Sequence, residues 1–135
     1  LQRPTQTCWV AYQATQPKLA GIIASRDMVI LFINRYVNGS HFVSTSSTEW
    51  PGMEPREDRV RATMHQGGGM SLSPDPARNR TRLRWVSTID FNIPLLTKIV
   101  SPSILKMIYV EGVRNYITDM RNNLIARREI LAPRD

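Results

Sequence analysis

The sequence predicts an α+β fold, an antiparallel sheet packed against one long C-terminal helix. Three observations carry that prediction. Residues 101–127 (SPSILKMIYVEGVRNYITDMRNNLIAR) repeat their apolar side chains at helical spacing. The residues before them carry shorter runs rich in β-branched and aromatic side chains. Turn-forming residues, above all Asn38-Gly39, separate those runs. Strands grouped first and a helix last describe a segregated architecture rather than alternating βα units.

Taken in order, residues 7–14 (TCWVAYQA) read as a strand, and Pro17 and Gly21 punctuate the connection that follows. Residues 25–36 (SRDMVILFINRY) form a near-continuous apolar run. Asn38-Gly39 then returns the chain along residues 41–48 (HFVSTSST), because both residues accept the positive φ of a tight hairpin turn. Residues 50–58 (WPGMEPRED) hold two prolines, a glycine and four charges, and form a loop. Residues 59–73 alternate weakly and are interrupted by Gly67-Gly68-Gly69. Residues 74–80 (PDPARNR) are a second turn, and residues 81–93 (TRLRWVSTIDFNI) another strand that Pro94 ends. Leu83, Trp85, Ser87, Ile89 and Phe91 share one parity of that strand. Residues 59–73 and 81–93 are expected to pair as one long hairpin.

Residues 95–100 lead to the helix, expected over about 101–127. Ser101 suits the N-cap, and Pro102 the first helical position, where a missing N–H costs nothing. Leu105, Ile108, Tyr109, Gly112, Val113, Tyr116, Ile117, Met120 and Leu124 fall on one broad stripe, with Glu111, Arg114, Thr118, Arg121 and Asn122 opposite. Such a helix needs an apolar partner, and the sheet is the obvious one. Residues 130–135 read as a frayed tail.

With 135 residues and 41% hydrophobic composition, the chain is long enough for one domain with its own core. It begins at Leu1 rather than Met, as a processed form or a fragment would. No apolar run reaches membrane-spanning length and no signal peptide is visible. Cys8 is the lone cysteine, which excludes an internal disulfide and fits a reducing compartment. The net charge of +7 draws a domain toward nucleic acid or anionic headgroups. The arginines cluster only at residues 77–84 (ARNRTRLR) and at Arg127-Arg128. The first cluster reads as a solvated hairpin tip, so nucleic acid is not an expected partner.

The residues that usually carry chemistry do not assemble here. His41 and His65 lie on different strands with no metal-ligand spacing around either, so neither a metal site nor a cofactor is expected. No nucleophile–base set can be drawn, which argues against an enzyme. Cys8 beside Trp9 reads as a buried, inert thiol. Gly67–Gly69 lacks the lysine and serine of a phosphate loop and reads as a bulge in a strand. Asn38-Gly39-Ser40 and Asn79-Arg80-Thr81 match a glycosylation acceptor pattern, but both sit where turns are required anyway.

Five pieces, in this order, carry a family resemblance: SRDMV at 25–29, RYVNGS at 35–40, VRA at 60–62 with MSLSP at 70–74, TRLRWVSTID at 81–90, and the closing helix with Tyr116, Met120 and Leu124. Together they resemble the START domain, the lipid-transfer domain related to the steroidogenic acute regulatory protein. The resemblance covers about residues 7–123 and only the later part of that fold. It implies a helix-grip fold, a curved antiparallel sheet wrapped round a long C-terminal helix with an apolar tunnel between them. The family's N-terminal helix and first strands have no counterpart, so residues 1–135 are expected to form a single, N-terminally incomplete domain.

The resemblance also implies a site. It places Met28, Ile30 and Phe32 on the tunnel wall, with Met70, Leu72, Trp85, Ser87 and Phe91 as further lining. Tyr109, Val113, Tyr116, Met120 and Leu124 would line the helix side, where the helix acts as a lid. Each of these residues also suits an ordinary core. Sterol-carrying relatives hold an arginine at the position of Phe32, so this chain departs from them there. Arg26 and Asp27 are expected to form a structural ion pair. The implied function is non-enzymatic lipid binding and intracellular transfer of a sterol or phospholipid. The partners would be that lipid and, transiently, an anionic membrane surface, with a cytoplasmic location. The alternative is a truncated module that acts in protein interaction or regulation without retaining lipid.

Overall fold

The computed structural model describes residues 2–17, 24–93 and 101–131. The chain divides into two units, Leu1–Ile93 and Pro94–Asp135. The first holds the strands β1 (Gln2–Thr5), β2 (Cys8–Ala14), β3 (Arg26–Val37), β4 (Ser40–Ser47), β5 (Val60–Arg61), β6 (Thr63–Met64), β7 (Gly68–Asp75), β8 (Arg80–Val86) and β9 (Ile89–Asp90). The described residues of the second hold the helix α1 (Pro102–Leu131). The chain is thus α+β, a curved sheet followed by a single C-terminal helix.

The main sheet has the order β1-β2-β3-β4-β7-β8, with β5 also paired to β3. All these pairs are antiparallel except β3 with β5. The longest strand, β3, is the apolar run of the sequence, and it has three partners. It pairs with β2 from Asp27 to Ile33, with β4 from Ile30 to Val37, and with β5 at Arg26 and Asp27. The β3–β4 turn is the expected one: Asn38 and Gly39 both have positive φ, 48° and 77°. The core of this unit is Met28, Ile30, Phe32, Ala62 and Met64, edged by Trp9, Ala11, Val43, Ile89 and Phe91.

One strand expectation needs correction, and one strand, β1, lies before the expected elements and contains Pro4. Proline is tolerated here because β1 ends the sheet order. The long hairpin of residues 59–73 with 81–93 is broken into pieces. Thr63 and Met64 pair with Asp90 and Ile89, and β7 pairs with β8 from Gly69↔Val86 onward. Five residue steps separate Met64 from Gly69, but three separate Ile89 from Val86. The glycine run absorbs the difference as a bulge, beginning at Gly67 with φ 91°. Val60 and Arg61 leave this hairpin altogether and pair with β3.

At the start of α1, Ser101 Oγ accepts a hydrogen bond from the Ile104 N–H at 3.4 Å, and the Ser101 carbonyl accepts from the same N–H at 3.0 Å. Pro102 is the first helical residue. This is the cap expected from the sequence. The helix continues to Leu131, past the expected end at 127. Gly21, residues 95–100 and residues 132–135 of the expected tail lie outside the described residues.

Gly69 sits between β4 and β8, where a side chain would collide. A Cβ there would run into the Val43 carbonyl oxygen. Backbone cannot yield as a flexible side chain can. We expect Gly69→Ala to destabilise the first unit by roughly 1–3 kcal/mol, seen as a lower urea midpoint.

Candidate functional site

Directly opposed residues in an antiparallel pair project from the same face of a sheet, so the register assigns every side chain a side. Trp9 opposes Phe32, Phe32 opposes Thr45, and Thr45 opposes Gly68. Ala11 opposes Ile30, which opposes Ser47. Val43 opposes Met70, which opposes Trp85, while Leu72 opposes both His41 and Leu83. All of these share one face. On that face β2, β4, β7 and β8 carry no Asp, Glu, Lys or Arg, and β3 carries only Arg26 at its start.

This face gathers the sheet residues singled out in the sequence. Met28, Ile30 and Phe32 are buried together with Ala62 and Met64, and Phe91 packs against them. Phe32 stacks on Trp9, with ring centroids 5.2 Å apart and planes 3° from parallel. Met70, Leu72 and Trp85 are half-buried on the same face, and Ser87 follows just past the end of β8. Tyr109, Val113, Tyr116, Met120 and Leu124 belong to the second unit, along one stripe of α1. Trp9, Val43, Thr45, Ala62 and Met64 also contribute and were not singled out. The signal for Val43 and Thr45 was their parity in residues 41–48, masked there by the polar look of the segment.

Arg26 and Asp27 do not form the expected ion pair. Neighbours in a strand point to opposite faces. Asp27 is fully buried, and Arg61 on β5 holds its carboxylate with two hydrogen bonds, 2.8 Å from Nε and 3.2 Å from Nη2. Tyr12 Oη donates to the same carboxylate at 3.1 Å, and Arg59 donates to Tyr12 at 3.2 Å. Arg61 also donates to the carbonyls of Met53 and Glu54, which ties the 50–58 loop to this point. Arg26, on the other face, is buried and donates through Nε to the Phe91 carbonyl at 3.2 Å and through Nη1 to the Ala24 carbonyl. It joins β3 to the segment after β9. Burial lowers its pKa. Both residues anchor the ends of elements, and each does so with partners of its own.

The arrangement offers an extended apolar surface rather than reactive groups. Among the described residues, no group of three His, Cys, Asp or Glu is placed to hold a metal ion. No family model and no curated protein matches the sequence. Solved structures do match the fold. The human StAR-related lipid transfer protein 5 is similar over 90% of this chain and 56% of that one, with a TM-score of 0.72 and 21% identity. Human STARD10 is similar over 90% of this chain and 51% of that one, with a TM-score of 0.59 and 19% identity. The fold is that of a START domain. This chain spans about half the length of the two solved proteins.

The buried carboxylate makes stability depend on pH in a defined direction. Burial pushes the Asp27 pKa up, but the hydrogen bonds from Arg61 and Tyr12 and the charges of Arg61 and Arg59 outweigh it, leaving the value below the ordinary one. The stabilisation is therefore complete above about pH 4, where an unfolded aspartate ionises, and is lost as pH falls through the lower folded value. We expect Asp27→Asn to cost about 3–5 kcal/mol at neutral pH, because it strips Arg61 of its counter-charge. Urea unfolding of this variant across the acid range should show a flatter fall of stability with pH than the parent chain.

Proposed function

We propose that this chain binds a single lipid against the uncharged face of its sheet and carries it between membranes without chemical change. The observation that carries this reading is the composition of that face. From Trp9 across Phe32, Val43 and Met70 to Trp85 it is apolar or uncharged, and its one cation, Arg26, is engaged with backbone carbonyls. A lipid in water exposes about 0.8 kcal/mol of unfavourable surface per CH₂, so a carrier must offer a continuous apolar wall with few polar groups. The likeness of fold to a lipid transfer protein supports the same reading.

In this reading Met28, Ile30, Phe32, Met70, Leu72, Trp85, Ser87 and Phe91 form the wall. The stripe of Tyr109, Val113, Tyr116, Met120 and Leu124 closes over the lipid as a lid. The cargo is a sterol or a phospholipid. The lone Cys8 suits a cytoplasmic location. No described helix is long and apolar enough to cross a membrane.

Contact with the donor and acceptor membranes falls to the β7–β8 hairpin. Arg80, Arg82 and Arg84 alternate along β8 and are exposed, and Arg78 is exposed in the turn before it. Asp75 offsets part of this charge, at 3.4 Å from Arg82 and 4.0 Å from Arg78. Each basic residue near an anionic bilayer contributes about 1 kcal/mol, and the attraction fades with salt.

Two measurements test the proposal. Native mass spectrometry of the purified chain mixed with vesicles should show a single-lipid adduct. Met70→Gln, which places an unpaired amide on the wall, should weaken lipid uptake roughly tenfold. A parent chain that extracts no lipid of any class rules the carrier reading out. In flotation assays, binding to vesicles containing phosphatidylserine should exceed binding to neutral vesicles. Raising the salt, or the double change Arg82→Glu with Arg84→Glu, should abolish the difference.

A further inference from the structure

The uncharged face carries two hydroxyls that bond to nothing. Thr45 Oγ1 and Ser87 Oγ are both sealed from solvent with no hydrogen-bond partner. Thr45 is 4% exposed, so its hydroxyl has no route to bulk water. Native structures rarely leave buried polar atoms unpaired, and each such atom calls for an explanation. Ser47, on the same face and strand as Thr45, shows the usual solution: its Oγ accepts the Met64 N–H at 2.8 Å. A valine at residue 45 would fill the same space beside Phe32 without an unpaired group, so packing does not account for threonine there.

The two hydroxyls belong to residues on either side of Gly68. Thr45 opposes Gly68 across β4 and β7. On the far side of Gly68, a Cβ would meet the Ser87 Cα at 3.4 Å and the Val86 carbonyl oxygen at 3.0 Å. A side chain at residue 68 would press on that backbone, and with glycine there no side chain rises between Thr45 and Ser87. Beyond Thr45 the row continues into the stacked pair Phe32 and Trp9. The row thus runs from an aromatic platform to two uncharged hydrogen-bonding groups.

We propose that Thr45 and Ser87 bind the polar end of an uncharged lipid that carries two oxygen functions, a hydroxyl and an ester or amide carbonyl. This rests on the carrier reading above and narrows its cargo. Thr45 is on β4 and Ser87 follows the end of β8, two strands away, a separation of roughly 10 Å between backbones, which two oxygens several bonds apart match better than one. Each protein hydroxyl donates or accepts, so one can donate to the carbonyl while the other accepts from the lipid hydroxyl. Neither hydroxyl nor any opposed residue in the row is charged, so nothing there offsets a phosphate. Arg26 is six residues along β3 from Phe32, roughly 20 Å away. The hydrocarbon of the lipid lies along Phe32 and the apolar residues of the same face.

The test compares three fluorescent probes with the whole chain: an acyl-labelled ceramide, which has hydroxyl and amide, a fluorescent sterol with one hydroxyl, and an acyl-labelled phosphatidylcholine. The parent chain should bind ceramide the tightest. Thr45→Val and Ser87→Ala should each weaken ceramide binding about 5- to 10-fold and change sterol and phosphatidylcholine binding less than twofold. Circular dichroism melting identifies any loss of folding, and Thr45→Ser, which keeps the hydroxyl, should restore most of the ceramide affinity. If Thr45→Val leaves ceramide binding unchanged, or weakens all three probes alike, the anchor is overturned while the carrier reading stands. If the parent chain binds none of the probes and extracts no lipid from vesicles, the carrier reading falls and the anchor with it.

Discussion

Alternation along β3 is the constraint on which the rest of the first unit hangs. Its twelve residues, Arg26–Val37, run beside β2, β4 and β5, and period-two geometry sends neighbouring side chains into different surroundings. Arg26, Met28, Ile30 and Phe32 go to one side, with Ala62 and Met64. Asp27 goes to the other, where Arg61 and Tyr12 close round its carboxylate. A slip of one residue would turn the carboxylate toward Ala62 and Met64 and turn Met28, Ile30 and Phe32 away from them. A misplaced buried charge costs far more than the hydrogen bonds of a register lose, so the Asp27–Arg61 contact acts as a register pin. It sits at the one place where three strands and the 50–58 loop converge, which makes its reach larger than that of an ordinary ion pair.

The apolar face follows from that pin. Once β3 is fixed, β2 and β4 are fixed through their ladders, and β7 and β8 through β4. The uncharged surface from Trp9 to Trp85 is a cumulative result of four registers, not of any single apolar run. This is also why the glycines at 68 and 69 matter. They stand where β7 squeezes between β4 and β8, and they let the hairpin lose two residues of register without splitting the sheet.

Local signals of this kind were readable in the sequence. Asn38-Gly39 fixed a turn by its φ preference, Ser101-Pro102 a helix start by its capping chemistry, and the parity of Leu83 and Trp85 a common face. Pairings that depend on distant residues were not. Nothing near Asp27 in the sequence points to Arg61, and adjacency made Arg26 look like its partner although a strand forbids that contact. The break in the long hairpin depends on Val60 and Arg61 finding a better place beside β3. Met28, Ile30 and Phe32 lie in a near-continuous apolar run that does not by itself assign their face, and the family resemblance implied their common side, whereas Thr45 lies in a serine- and threonine-rich stretch that reads as an exposed strand. Only the register shows which of those hydroxyls turn inward, and only the hydrogen-bond pattern shows that Ser47 is satisfied and Thr45 is not.

Strand β8 ends the order of the main sheet, and its outward residues are Arg80, Arg82 and Arg84. A strand at the end of a sheet is a template on which another strand can pair. Two copies meeting antiparallel along β8 would bring like charges face to face at every second position. Arginines so placed would set the β8 strands of two copies against each other rather than let them join.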